Sequence, residues 1–99
     1  MDAGVILAAG DSTRMGFPKQ LAEIKDKPLL ELVIEKVNSN FELSTVVLGY
    51  ENELIQEKIN FYNSNILINE NWEEGIVSSI RTALFFYQKQ KQIENLIFF

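Results

Sequence analysis

The sequence has 99 residues, 46% hydrophobic and 23% charged, with a formal net charge of -5, which fits one globular domain with a modest core rather than a disordered chain. It contains no cysteine and no histidine, which excludes a disulfide scaffold and a Cys- or His-ligated zinc site; a metal would need carboxylate and phosphate oxygen, as magnesium does. The acidic balance argues against a general nucleic-acid surface but not against one nucleotide at a local positive site. No apolar run approaches the ~20 residues of a membrane helix and no basic n-region precedes the first apolar run, so a cytoplasmic protein is expected.

In chain order, Gly4 to Ala8 is a short apolar run that meets Ala9-Gly10-Asp11-Ser12 at once. A run of that length ending in a glycine turn predicts a buried strand. Pro28 then opens a helix, because proline suits a first helical position. Leu29, Leu30, Val33, Ile34 and Val37 share one face of it, and Asn38-Ser39-Asn40 ends it. Thr45 to Leu48 is a second β-branched run, stopped by Gly49. A short helix from Asn52 to Asn60 carries Leu54, Ile55 and Ile59, and Ile66-Leu67-Ile68 reads as a third strand between turn-favouring asparagines. A longer helix is expected from about Val77 to Gln92, with Val77, Ile80, Ala83, Leu84 and Tyr87 as its buried stripe. Leu96 to Phe99 reads as a fourth strand.

This alternation implies an open, mostly parallel, Rossmann-like α/β sheet with right-handed crossovers and helices on both faces, a three-layer arrangement. A fully apolar fourth strand with nothing after it is unusual, since α/β folds place function in loops at the carboxyl ends of strands. The reading favoured is truncation after the fourth strand, with residues 1–99 as only part of a domain. Exposed Phe98 and Phe99 on a free edge would then promote self-association.

The informative segment runs from Leu7 through Ala8, Ala9, Gly10, Ser12 and Arg14 to Lys19. It leaves the carboxyl end of a buried strand, where the ligand crevice of such sheets lies. Gly10 permits unusual backbone angles and close approach to a ligand. Successive amides in such a turn form an anion nest, and Ser12 and Thr13 add hydroxyl donors. Arg14 can fork onto phosphate oxygens and Lys19 adds a compact charge. The pattern is not a Walker loop, because five residues separate Gly10 from Gly16 and Phe17-Pro18 precede the lysine. The dinucleotide fingerprint G-x-G-x-x-G is absent as well. On composition alone, a surface turn with solvated charges explains the loop equally well.

The string L-A-A-G-x-S-x-R-M-G-x-P-K-Q-L, from Leu7 to Leu21, resembles the signature of the MobA-like nucleotidyltransferases. Within them it is most similar to the molybdenum cofactor cytidylyltransferases: Ala9, and the five-residue step from Arg14 to Lys19, differ from the L-A-G-G and wider spacing of the guanylyl branch. A second stretch, Asn69 to Ile80, resembles that family's N-x-x-W-x-x-G-x-x-S-S segment. The resemblance implies that Gly75 and Ser79 sit against the base. The alternative use of Ser78 and Ser79 is N-capping. Trp72 reads as a packing residue, and Arg81 and Glu73-Glu74 as solvated helix-end charges.

The resemblance implies the nucleotide-diphospho-sugar transferase type of fold. It implies CTP-dependent cytidylyl transfer to a pterin acceptor, with release of pyrophosphate. Arg14 and Lys19 would carry catalysis by offsetting charge on the α-phosphate and the leaving group, without a general base. Leu7, Ala8, Ala9, Gly10, Ser12, Arg14, Lys19, Gly75 and Ser79 would contact the nucleotide. Mg2+ would bridge the phosphates. Its protein ligand in the family is an aspartate in an Asp-x-Pro segment expected beyond residue 99, so the chain itself is expected to turn over little. Alternatives are a non-catalytic nucleotide-binding or interaction module, and a guanylyl- or sugar-phosphate nucleotidyltransferase of the same fold. Neither nucleic acid nor membrane is an expected partner.

Overall fold

The first apolar run becomes a central strand. In the computed structural model, which describes residues 1–11 and 21–99, β1 spans Asp2–Ala8, and a hairpin of β2 (Glu23–Ile24) and β3 (Lys27–Pro28) leads into α1 (Leu29–Asn40). There follow β4 (Leu43–Leu48), α2 (Asn52–Lys58), β5 (Asn65–Ile68), a single 3₁₀ turn (Trp72–Glu74), α3 (Ile76–Tyr87) and β6 (Asn95–Phe98). The main sheet has the order β5-β4-β1-β6, and every pairing in it is parallel. Val5 lies opposite Thr45 on one side and Phe98 on the other.

The path explains the layers. The first two crossovers step one way, from β1 to β4 and then to β5. The third returns over both strands to place β6 at the opposite edge. With right-handed crossovers, reversing direction moves the helix to the other face of the sheet. Ile6 and Ala8 of β1 accordingly pack with Ile34 and Val37 of α1 and Ile55 of α2. Ala3 and Val5 pack with Ala83 and Tyr87 of α3. The three-layer α/β expectation is therefore met, and β1 and β6 flank the point where the strand order turns back.

Three details differ from the sequence reading. Pro28 ends β3 in an extended conformation (φ -60°, ψ 137°), so α1 begins one residue later, at Leu29. The preceding hairpin was not anticipated, because its turn residues Lys25 and Asp26 take positive φ (54° and 67°) without a glycine. The largest difference concerns α3. It stops at Tyr87 rather than Gln92, and its inner face holds Ser78, Ser79, Ala83 and Tyr87, whereas Val77 and Leu84 are 59% and 51% exposed. Polar anchors decide that rotation. The Tyr87 hydroxyl meets Thr45 Oγ1 at 2.5 Å, and Asn69 Nδ2 donates to the hydroxyls of Ser78 and Ser79. A buried hydroxyl or amide costs more when unpaired than a leucine loses by staying half exposed.

Candidate functional site

A cleft of about 450 Å³ opens outside the carboxyl end of β1. Its floor is the end of that strand, Leu7 and Ala8, with Ala9 and Gly10 beyond. One wall is the start of α1, with Leu29, Leu30 and Val33; the other is Trp72, Gly75, Ile76 and Ser79, and Phe99 closes the β6 side. The cleft thus sits beside the reversal in strand order, where open α/β sheets bind ligands. Six of the nucleotide-contact residues expected from sequence, Leu7, Ala8, Ala9, Gly10, Gly75 and Ser79, meet there. Ser12, Arg14 and Lys19 fall outside the described residues.

Each wall has a local cause. Gly75 adopts φ 95° and ψ -175°, a region open essentially to glycine alone, and caps α3 without a side chain. Among the described residues a Cβ there would meet nothing within 4 Å, so the backbone angle, rather than crowding by those residues, requires the glycine. Gly10 differs from expectation. Its φ lies outside the left-handed region, and among the described residues a Cβ on it would meet nothing within 4 Å, so it leaves space at the cleft wall. Neither serine acts as an N-cap. Ser78 Oγ lies 2.7 Å from the Gly75 carbonyl and 3.0 Å from that of Asn71, to which it can donate. Ser79 Oγ accepts from Asn69 at 3.0 Å.

Trp72 both packs and lines the cleft. Its ring stands edge-on to Tyr50 with centroids 5.2 Å apart. Its Cβ lies where a side chain on Gly49 would come within 2.6 Å. The Tyr50 amide in turn donates to the Ala9 carbonyl at 3.0 Å, tying the β4 turn to the floor of the cleft. The sequence reading gave α1 only a core role and so missed Leu29, Leu30 and Val33. Their signal was position, since a helix that follows the first loop must start beside it. Arg81, Glu73 and Glu74 are exposed, as expected, but Arg81 lies mid-way along α3 rather than at a helix end, and Glu73 and Glu74 belong to the 3₁₀ turn.

None of the described residues lining the cleft is charged. The described wall is mostly apolar; its polar side-chain groups are the Ser79 hydroxyl and the Trp72 indole N–H, beside backbone groups. It contains no carboxylate, and among the described residues no three acidic side chains cluster. These residues therefore supply no ligand set for a divalent cation. No helix among the described residues is long and apolar enough to cross a membrane.

Residues 4–96 match the MobA-like NTP transferase domain. The chain belongs to that family. Among relatives, it is 40% identical over 70 residues to the bifunctional protein GlmU of Methanococcus maripaludis, a match covering 66% of this chain and 16% of the relative. It is 34% identical over 79 residues to a probable molybdenum cofactor guanylyltransferase of Aquifex aeolicus, covering 80% of this chain and 37% of the other. The solved structure of Rv0371c from Mycobacterium tuberculosis shares the fold with a TM-score of 0.71 at 24% identity, over 98% of this chain and 50% of that one. The chain therefore spans half or less of the length of these proteins.

Proposed function

We propose that this chain carries the nucleoside-triphosphate-binding part of a nucleotidyltransferase. The observation that carries the proposal is the meeting of Leu7–Gly10 with Gly75 and Ser79 across one cleft. These two stretches lie some 65 residues apart in the sequence and contain the residues through which it resembles the family. The base would lie in the apolar box against Gly75 and Ser79. The phosphates would lie toward the loop that follows Gly10, where Ser12, Arg14 and Lys19 supply donors and positive charge. Transfer would then proceed by in-line attack of a phosphate oxygen of the acceptor on the α-phosphorus, breaking its bond to the α,β-bridging oxygen and releasing pyrophosphate, with Arg14 and Lys19 offsetting the developing charge.

CTP is the proposed triphosphate, with a pterin phosphate as acceptor. Ala9 and the spacing from Arg14 to Lys19 support it. A guanylyl reading is favoured instead by the name of the Aquifex relative. A divalent metal is proposed to arrive on the phosphates; a second structure of Rv0371c, 26% identical with a TM-score of 0.55, is a complex with manganese, and magnesium is the ion proposed here. Calorimetric titration with CTP and with GTP, each with magnesium, beside an Arg14→Ala variant, tests the reading. Binding of CTP that the substitution weakens by tenfold or more, about 1.4 kcal/mol, is expected. Tighter binding of GTP would replace the cytidylyl reading with the guanylyl one, and binding of neither would sink both.

Self-association through β6 is proposed as well, because Ile97, Phe98 and Phe99 are 39%, 37% and 51% exposed at an edge of the sheet. Sedimentation velocity should show a concentration-dependent dimer that Phe98→Lys weakens. A monomer at all concentrations would remove this part.

A further inference from the structure

We infer that Asn69 is a positioning residue that sets the hydrogen-bond polarity of the cleft by making Ser79 a proton donor. The inference rests on the nucleotide reading above and adds which kind of base atom Ser79 meets. Asn69 follows the end of β5 and is 3% exposed. Its backbone amide donates to the Leu48 carbonyl at 2.7 Å, which fixes the residue to the neighbouring strand. The orientation of its side-chain amide follows from a partner that can only donate. The backbone N–H of Asn71 lies 2.9 Å from one terminal atom, so that atom is the oxygen Oδ1. The other is therefore the NH₂ group, and it donates to Ser78 Oγ at 2.8 Å and Ser79 Oγ at 3.0 Å.

The two serines then differ in what remains to them. Ser78 can hand its proton to the carbonyls of Gly75 or Asn71. Ser79 accepts from Asn69, and among the described residues no acceptor takes its proton, although the side chain is only 4% exposed and lines the cleft. A buried hydroxyl at the cleft wall with an accepted bond on one side and its own hydrogen unspent offers that hydrogen to an acceptor in the cleft. The part of the cleft it faces is apolar, which suits a base rather than a phosphate. Ser79 would therefore donate to a carbonyl oxygen or unprotonated ring nitrogen of the base. A base presenting an amino group or a protonated ring nitrogen at that point would be rejected, because two donors would face each other.

Asn69→Asp is the informative change. It keeps the shape and the acceptor for Asn71, but replaces the NH₂ donor by an oxygen that accepts the Ser79 proton, so the hydroxyl turns from donor to acceptor. In calorimetric titrations, Asn69→Asp should weaken whichever of CTP and GTP binds by about tenfold, the scale of one lost hydrogen bond with a mismatched partner. In a Ser79→Ala background the same change should cost nothing further. Binding of inorganic tripolyphosphate, which has no base, should be unaffected. An equal loss for tripolyphosphate, or a full further loss in the Ser79→Ala background, would show that Asn69 acts only through the fold and would overturn the inference. If the unsubstituted chain binds a nucleotide and Asn69→Asp binds it as well, this inference alone fails. If the unsubstituted chain binds neither, the nucleotide reading fails and takes this one with it. Should Asn69→Asp not fold, NMR of the unsubstituted chain decides: the Asn69 side-chain NH₂ signals should shift on nucleotide addition and lose that shift in Ser79→Ala, and an unchanged shift would refute the coupling.

Discussion

The two faces of the sheet are built by different rules. On the side of α1 and α2 the core is mainly aliphatic: Ile34, Val46, Leu48 and Ile55 are completely buried, the helix presents Leu30, Ile34 and Val37 at the spacing of one apolar stripe, and the polar group of Asn38, Ser44 and Ser64 bonds to itself at the far end of the helix. On the side of α3 the helix buries two serines, an alanine and a tyrosine whose hydroxyl is bonded, while Ile76, Val77, Leu84 and Phe85 stay between 51% and 75% exposed. The first face serves stability. The second gives up apolar burial to hold a polar cluster beneath the cleft. The same hydrophobic residues therefore mean different things on the two helices, and hydrophobicity alone does not reveal which helix belongs to a site.

The sharpest way to break this comparison is to truncate one residue on each face. Ile34→Ala should cost about 2–5 kcal/mol, because it removes a fully buried side chain and leaves a cavity. Leu84→Ala should stay within about 0.5 kcal/mol, as expected for a surface change. In a domain of this size each kcal/mol moves the melting temperature by roughly 4–8 °C, so thermal denaturation separates the two easily. Equal losses would mean that α3 is rotated differently from the arrangement described here. Next in size is Gly75→Ala. It should cost about 1–3 kcal/mol from backbone strain at positive φ, with no steric clash, since the space in front of Gly75 is open. A neutral result in urea denaturation would show that the N-terminus of α3 tolerates another conformation, and that the cleft wall is not set by this residue.

The smallest expected effect lies on the outer side of α1. Lys27 Nζ donates to Glu35 Oε1 at 2.9 Å, and the Tyr62 hydroxyl donates to the same oxygen at 3.0 Å. The Lys27 bond, followed by that from Tyr62, holds the Glu35 carboxyl below the usual glutamate range. The Glu35 carboxylate raises Lys27 and Tyr62 above their ordinary values, chiefly through the same hydrogen bonds. The Glu35 contribution is therefore present above the unfolded glutamate pKa and fades as pH falls through the lowered folded value. The Lys27 and Tyr62 contributions are full below their unfolded values and fade as pH rises through the raised ones. Stability should be flat between these limits. Glu35→Gln should soften both edges slightly, and by less in high salt, because the cluster is solvated. A large loss at neutral pH would show the cluster to be more than a surface tie between the hairpin, α1 and the turn at Tyr62.

Much of the lining of the cleft could be read along the chain because it is local. Leu7 to Gly10 and Asn69 to Ser79 are each continuous, and each carries its pattern of glycine, serine and apolar residues in order. The hairpin could not be read, because Lys25 and Asp26 adopt positive φ without the glycine that usually signals it. The extent of α3 was overestimated because Gln88 to Gln92 favour helix well enough, yet offer nothing to bury after Tyr87. The role of Asn69 was invisible for another reason. Its partners lie 9 and 10 residues further on in a helix, and only the folded turn around Trp72 brings them to its amide.

By itself, then, the sequence determined the alternation of strands and helices, the parallel sheet that follows from it, and the family to which its two motifs belong. Those depend on short-range pattern and on backbone chemistry that each segment carries alone. Only the tertiary structure decided which face α3 turns inward, that α1 supplies a wall of the cleft, and that Ser79 accepts from Asn69. Each of these depends on hydrogen bonds and packing between segments distant in sequence, where pairing a buried polar group outweighs the preference of any one residue for the interior.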